Sequence, residues 1–330
     1  MSFFAILFAL LIEQVRPLGS HNPVHGWLRT WARWVSSNCD AGKTHHGWIA
    51  WTLAVMLPAA GAVAVHWLLV VLVGWPFAVL WNVAVLYLTL GFRQFSHHFT
   101  SIRDALDAGD EAQARSLLAA WQQVDAGVLP RSEILRHVIE YSVLAAHRHV
   151  FGVLACFSIL AAFGLGPAGA VLYRTSEFVG RYWGRGRGLL APRGSPALRA
   201  AADRAWHAID WLPARITALA FAVVGSFEEA IDCWRNHAQR FPDDNDGVIL
   251  AATAGAVNVR LGGETLRSAF NAQAEFRPGP SGIEVIGGAE GTPGREAEVG
   301  HLRSIVGLVW RSVVLWMVLL ALLTMSRLLG

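Results

Sequence analysis

An all-α, polytopic integral membrane protein is the fold class this sequence predicts, with transmembrane helices joined by helical cytoplasmic segments. Three observations predict it. Hydrophobic residues make up 54% of the 330 residues and charged residues only 15%, whereas an ordinary soluble domain carries about 25% charged residues. Trp48 to Val73 runs 26 residues without a formal charge, longer than the roughly 20 needed to cross hydrocarbon. The chain also closes on an apolar run, Ile305 to Met325, interrupted only by Arg311. Three scattered cysteines (Cys39, Cys156, Cys233) exclude a disulfide scaffold or a four-thiolate metal site. With 27 basic against 24 acidic residues, no concentrated basic face points to nucleic acid.

Each element follows from local pattern. Phe3 to Ile12 is apolar but short, and Glu13 follows at once. No positive residue precedes it and no small-residue cleavage site follows, so it is expected to stay attached as a short spanning or interfacial helix. Gly74-Trp75-Pro76 turns the Trp48–Val73 span back into Phe77 to Phe92, and Trp48, Trp51, Trp67, Trp75 and Trp81 mark interfacial belts. Between Arg93 and His149, Ala105, Leu106, Ala114, Leu117, Leu118 and Trp121 recur at helical spacing. Asp110 is an expected N-cap there, and Pro130 opens a second helix. Val150 to Leu172 is apolar but divided by Gly164-Leu165-Gly166-Pro167-Ala168-Gly169; Gly184 to Pro196 reads as loop. Leu212 to Val224, about 13 residues, is short for a span and reads as re-entrant or buried. Ser226 to Ser304 reads as a soluble segment, glycine- and proline-rich from Arg277 to Gly294.

These runs divide the chain into membrane helices at 1–92, a cytoplasmic helical segment at 93–149, and a re-entrant region with an arginine-rich loop at 150–224. A second cytoplasmic segment at 225–304 and a final span at 305–330 follow. Six arginines fall in 93–149, seven in 174–211 and seven in 225–304. If 150–172 enters and leaves on one side, all of these share that side, which the positive-inside rule makes the cytoplasm of a bacterial inner membrane, with four crossings in all. Irregular backbone at membrane depth must line protein or water, so the GLGPAG break is expected to border a cavity.

Several motifs carry chemistry only in part. Gly42-Lys43-Thr44 ends like a phosphate loop, but Ser37 stands where the first glycine belongs, and a snorkelling lysine before a span is the better reading. His147, Arg148 and His149 precede the apolar run at Val150, either as boundary residues or as cations presented to an anionic ligand. Arg174, Glu177 and Arg181 follow the glycine break and can pair among themselves. Pro242 to Gly247 fails as a calcium loop, because Pro242 occupies the place of the first carboxylate. Asp244 and Asp246 there can hold a hydrated Mg²⁺ beside a nucleotide, or simply lie in a capped turn before a helix from Val248. Glu140 stands one turn from Arg136, and Gly262-Gly263 after Arg260 reads as a helix C-cap.

In one order along the chain come Asn22-Pro23-Val24, Ile134-Leu135-Arg136-His137-Val138-Ile139-Glu140, Gly166-Pro167-Ala168-Gly169-Ala170-Val171-Leu172-Tyr173, Leu212-Pro213-Ala214-Arg215-Ile216, and Asn245 before Ala254 to Gly263. This series resembles the CobD/CbiB family of cobalamin-biosynthesis membrane proteins. The resemblance implies an adenosylcobinamide-phosphate synthase, joining aminopropanol or its phosphate to adenosylcobyric acid with ATP and Mg²⁺. It implies Glu140, Arg215 and Asn245 as catalytic residues. His147, Arg148, His149, Arg174, Glu177, Arg181, Asp244, Asp246 and Arg260 are the expected contacts of a corrinoid or other anionic small molecule. The lipid bilayer is the other partner, and a homo-oligomer is admitted.

Some family carboxylates are replaced: Leu250 and His207 stand where acids are expected, with Asp203 and Asp210 as substitutes, and Ala146 to Gly152 replaces an acidic stretch. These replacements imply a degenerate site without Mg²⁺ or ATP as the alternative. They also bring the chain near the family's AmpE branch, a non-enzymatic membrane signalling modulator, whose likeness rests on Arg174, Glu177, Phe178, Arg181, Tyr182 and Trp183.

Overall fold

A computed structural model describes residues 2–16, 23–122, 129–184, 194–263 and 291–329. The expected loops at 184–196 and 277–294 fall largely outside them, as does Asn22. The described secondary structure is helical, with one isolated parallel bridge, Val259 to Arg295. Four helical stretches are long and apolar enough to cross a membrane: Thr44–Leu72, Arg131–Ala162, Pro196–Val224 and Val299–Ser326. Only 17% of the most apolar window of the first is covered by protein. Its Ile49, Met56, Leu57, Leu68, Val71 and Leu72 face outward, and an apolar surface of that extent requires lipid around it.

The chain forms two compact units. The first comprises Met1–Gln94, His147–Ile216 and Trp316–Gly330. In it α1 (Ser2–Val15) packs on α4 (Trp75–Thr89), and α3 (Thr44–Leu72) pairs with α4 around Gly74, whose φ of 113° no L side chain adopts readily. Trp81 Nε1 donates to the Ala62 carbonyl (3.1 Å), and His66 Nδ1 meets Asn82 Oδ1 at 3.1 Å. The expected GLGPAG break is a turn between α8 (Gly152–Ala162) and α9 (Ala168–Gly184). Gly169 lets α9 lie against the Cys156 carbonyl, where any Cβ would collide.

The turn before α9 touches His66 through Gly166, and Trp183 near the other end of α9 joins Trp51 and Leu198 in one core. Gly47, early in α3, abuts the Ala197 backbone. From Gly47 to His66 is roughly 28 Å at 1.5 Å per residue, close to the hydrocarbon thickness. Helix α9 therefore follows α3 through most of its depth and ends on the side on which α3 begins. An amphipathic helix, α2 (Pro23–Cys39), seals that end: Trp183 Nε1 donates to the Ala32 carbonyl, and Trp31 Nε1 to the Ala54 carbonyl, each at 3.2 Å.

Two helical boundaries differ from expectation. The apolar run does not begin at Val150. Helix α7 (Arg131–Ala146) continues through a π-helical turn, His147–Phe151, into α8. The polar His-Arg-His stretch that reads as a boundary is absorbed because His147 is paired inside the protein, as described below. Likewise Leu212 to Val224 is the second half of α10 (Pro196–Val224), which passes through Pro213. Proline is tolerated within spanning helices because neighbouring groups satisfy the freed backbone.

The second unit comprises Phe95–Ala146 and Thr217–Leu315. Helices α5 (Phe92–Asp107) and α6 (Glu111–Gln122) meet at Asp110, whose Oδ1 accepts the Gln113 N–H at 2.9 Å, as an N-cap should. Arg131 Nη2 ties α7 to the Leu106 carbonyl (3.0 Å). Helices α11 (Phe227–His237) and α12 (Asp244–Val257) pack closely because Gly255 sits on the Glu229 carbonyl and Gly225 on Ala256. Within α13 (Val299–Leu329), Ser312 returns its hydroxyl to the Leu308 carbonyl (2.9 Å), so this polar residue is satisfied inside its own helix.

Two end positions of α12 are corrections. Its first turn starts at Asp244 rather than Val248, because the Asp243 carboxylate accepts the Asn245 and Asp246 N–H groups. Its C-cap is Asn258 at φ 52°, not Gly262-Gly263. Asparagine is one of the few residues that reaches the left-handed region readily, so the helix closes before the glycines are reached. Residues 259–262 then pair with 292–295: Arg260 N donates to the Arg295 carbonyl and Thr292 N to the Leu261 carbonyl, both at 2.7 Å.

Candidate functional site

In the second unit the helix face Glu133, Arg136, His137 and Glu140 lies on α7. Arg136 is 5% exposed, and its guanidinium fork is spread between two acids one turn to either side. Nε donates to Glu133 (3.0 Å) and Nη1 to Glu140 Oε1 (2.9 Å). The expected Arg136–Glu140 pair is therefore present. The other Glu140 oxygen faces His137 Nδ1 at 3.5 Å. Glu140 Oε1 also accepts the N–H of Gly262 at 2.7 Å. A carboxylate from one motif thus holds the backbone of another, 122 positions away in sequence. Gly262 has φ +81°, which turns its N–H toward that oxygen at little conformational cost.

Asn245 is buried in the first turn of α12, while Asp244 is exposed and Asp246 half-buried. Asp243 is committed to the cap. Arg260 lies exposed in the paired segment, its backbone held by Arg295.

In the first unit the π turn separates three sequence neighbours. His147 is fully buried, with Nε2 2.9 Å from Asp210 Oδ1 and 3.2 Å from the Tyr173 hydroxyl. Tyr173 donates to the same Asp210 oxygen at 2.7 Å. His147 is thus paired with Asp210 on α10. The charged groups that act most on His149 are Arg174, Glu177, Arg181 and Arg148. The expected pairing within α9 is present: Arg174 Nη1 donates to Glu177 Oε2 (3.1 Å), and Arg181 forms an ion pair with Glu177 Oε1. On α2, burial and then Arg174 and Arg29 depress His25 below the ordinary histidine range. Arg215 lies over Trp211, its Cζ 4.2 Å from the ring centroid, and donates from Nη1 to the Trp211 carbonyl (2.9 Å).

The predicted residues thus gather as two sets. Glu140, Asn245, Asp244, Asp246 and Arg260 belong to the second unit, and His147, Arg148, His149, Arg174, Glu177, Arg181 and Arg215 to the first. Sequence reasoning missed His25 and Arg29 on α2, and it gave Asp210 no partner. An ionisable residue inside an apolar helix was the available signal for Asp210.

The sequence profile of the CobD/Cbib protein family matches residues 3–281. A relative named Cobalamin biosynthesis protein CobD, from Stutzerimonas stutzeri, is 30% identical over 325 residues, 96% of each chain. Another of the same name, from Chromobacterium violaceum, is 34% identical over 181 residues, 55% of each chain. A third, from Mycobacterium tuberculosis, is 42% identical over 77 residues, 21% of this chain and 24% of the relative. No solved structure matches significantly.

Proposed function

Because the chain belongs to the CobD/Cbib family, we propose that it acts in cobalamin biosynthesis as a membrane-embedded synthase. It condenses the activated carboxylate of adenosylcobyric acid with the amine of aminopropanol or its phosphate. One observation carries the reading beyond family membership: the Glu140–Gly262 hydrogen bond joins two of the stretches in which the likeness lies. The relatives' CobD names support biosynthesis over AmpE-like signalling.

The donor set fits a hydrated magnesium ion, which takes one or two carboxylates and otherwise water and phosphate oxygens. Asp244 and Asp246, in the first turn of α12, would hold it. Among the described residues no group of three or more His, Cys, Asp or Glu side chains forms a closed metal cage, and such a site does not need one. Bound Mg²⁺ and ATP would supply the phosphoryl group that makes the corrinoid carboxylate reactive.

The chain's own residues do the rest. Asn245 offers a neutral polar contact that orients without adding charge. Arg215, stacked on Trp211, offers a cation to developing phosphoryl charge. Glu140 acts as the catalytic carboxylate of the resemblance while keeping the glycine pair of the 259–263 segment in place. Arg260 and the Arg148–Arg174–Arg181 set take the anionic portions of the ligand, with Glu177 and His149 setting their charge balance and His147 their register. The working location is the bacterial inner membrane, with the arginine-bearing connections in the cytoplasm; positive-inside charge placement and the bacterial relatives support it.

The test is amide formation by purified full-length protein in detergent with adenosylcobyric acid, aminopropanol phosphate, ATP and Mg²⁺. Product should form, and Arg215→Ala should abolish it while the protein still inserts and folds. Folded protein that neither makes amide nor binds the corrinoid would end the reading.

A further inference from the structure

We propose that the junction of α2, the π turn and α9 is a binding site for a phosphate group. Two histidines from different elements, His25 on α2 and His149 on the π turn, define it. The charged groups acting most strongly on His25 are Arg174, Arg29, Arg181 and Glu177; on His149 they are Arg174, Glu177, Arg181 and Arg148. Three guanidiniums and one carboxylate thus act on each ring. Arg148 is shared with Asp210, which leaves Arg29, Arg174 and Arg181 against Glu177, an excess of two positive charges.

The excess is carried by Arg29 and Arg181, both exposed, at the mouth of a buried Arg174–Glu177 pair. Arg174 is 7% and Glu177 2% exposed. Burying charge without a counter-charge is expensive, and native structures pair such groups. Among the described residues Arg174 makes one hydrogen bond, to Glu177, out of the five N–H donors a guanidinium carries. The Nδ1 of His149 is buried there without a hydrogen-bond partner. One turn further along α2 and α9, an open cavity of about 510 Å³ is lined by Arg33, Ser36, Ser37 and Tyr182. The floor therefore holds spare donors, and the rim carries exposed Arg29 and Arg33.

A phosphate monoester brings close to two negative charges and several acceptor oxygens, matching both the excess and the forked donors. The group could arrive on a soluble phosphorylated molecule or on an anionic lipid. Helix α2 also has the character of an interfacial helix, with Trp27, Trp31 and Trp34 stacked along one side at ring separations of 6.1 and 5.4 Å. This inference deepens the ligand-binding half of the proposed function and does not require the condensation.

The test uses the full chain in neutral detergent at fixed ionic strength. It is titrated calorimetrically with inorganic phosphate and, separately, with dihexanoylphosphatidic acid, whose headgroup is a phosphate monoester. Saturable binding of phosphate identifies a soluble phosphoryl ligand; saturation by the lipid alone identifies a headgroup. In either case Arg29→Gln and Arg181→Gln, both at exposed positions, should each weaken binding about ten-fold, as loss of a charge-assisted hydrogen bond does. Arg174→Gln should remove binding if it folds, and the two rim variants carry the test if it does not. If neither ligand saturates, or if both rim variants bind as wild type does, the site is refuted. Loss of amide synthesis with phosphate binding intact would overturn the proposed reaction and leave this site standing.

Discussion

Replacing Glu140 with alanine should release the 259–263 segment specifically. In the folded chain its Oε1 accepts from both Arg136 and Gly262. A hydrogen bond to a charged acceptor contributes about 1.5–3 kcal/mol, so loss of the Gly262 bond alone should speed exchange of that amide by roughly 10- to 100-fold. Arg136 keeps Glu133 as a partner, so the global loss should stay below the roughly 3–5 kcal/mol of a buried cation left wholly unpaired. Hydrogen–deuterium exchange on peptides covering 257–263 reads the local effect, with peptides from α3 as the internal control. Glu140→Gln, whose amide oxygen can still accept from Gly262, should restore much of the protection without restoring the charge. Equal protection of 257–263 in wild type and Glu140→Ala would refute the reasoning, because the carboxylate would then hold nothing.

Further outcomes follow from the same geometry. A Gly152→Ala methyl would press on the Tyr173 ring, displacing its hydroxyl from Asp210; a loss of about 1–3 kcal/mol is expected from overpacking, measured by thermal unfolding. Asn258→Ala should destabilise by about 1–2 kcal/mol through the left-handed cap, whereas Asn258→Gly should be close to neutral; equal melting of the two variants would contradict the cap.

Much of the membrane architecture was legible because it depends on local pattern. A 26-residue uncharged run has few alternatives to a span. Asp110 and the Gly164–Gly169 break act through their own backbone preferences, and both appear where expected. The failures share one cause, which is that distant partners decide. Nothing near His147 announces that Asp210, 63 positions on, will absorb it and let helix α7 continue through a polar stretch. Asn258 was overlooked beside two glycines, although its tolerance of positive φ is a local property that could have been weighed.

At the candidate sites, i,i+3 and i,i+4 spacing gave the Arg136–Glu140 and Arg174–Glu177–Arg181 pairings directly. The bond from Glu140 to Gly262 and the approach of α2 to α9 needed the tertiary fold. His25 and Arg29 therefore read as ordinary residues of an interfacial helix until α9 is laid beside them.

The most direct measurement of the proposed chemistry follows oxygen. Adenosylcobyric acid carrying ¹⁸O in its free carboxylate is incubated with the protein, ATP, Mg²⁺ and aminopropanol phosphate, and the products are weighed by mass spectrometry. Carboxylate activation by phosphoryl transfer predicts one ¹⁸O in the released phosphoryl product for each amide formed. Amide lacking that transfer, or folded protein that leaves all the label in unreacted corrinoid, would contradict it.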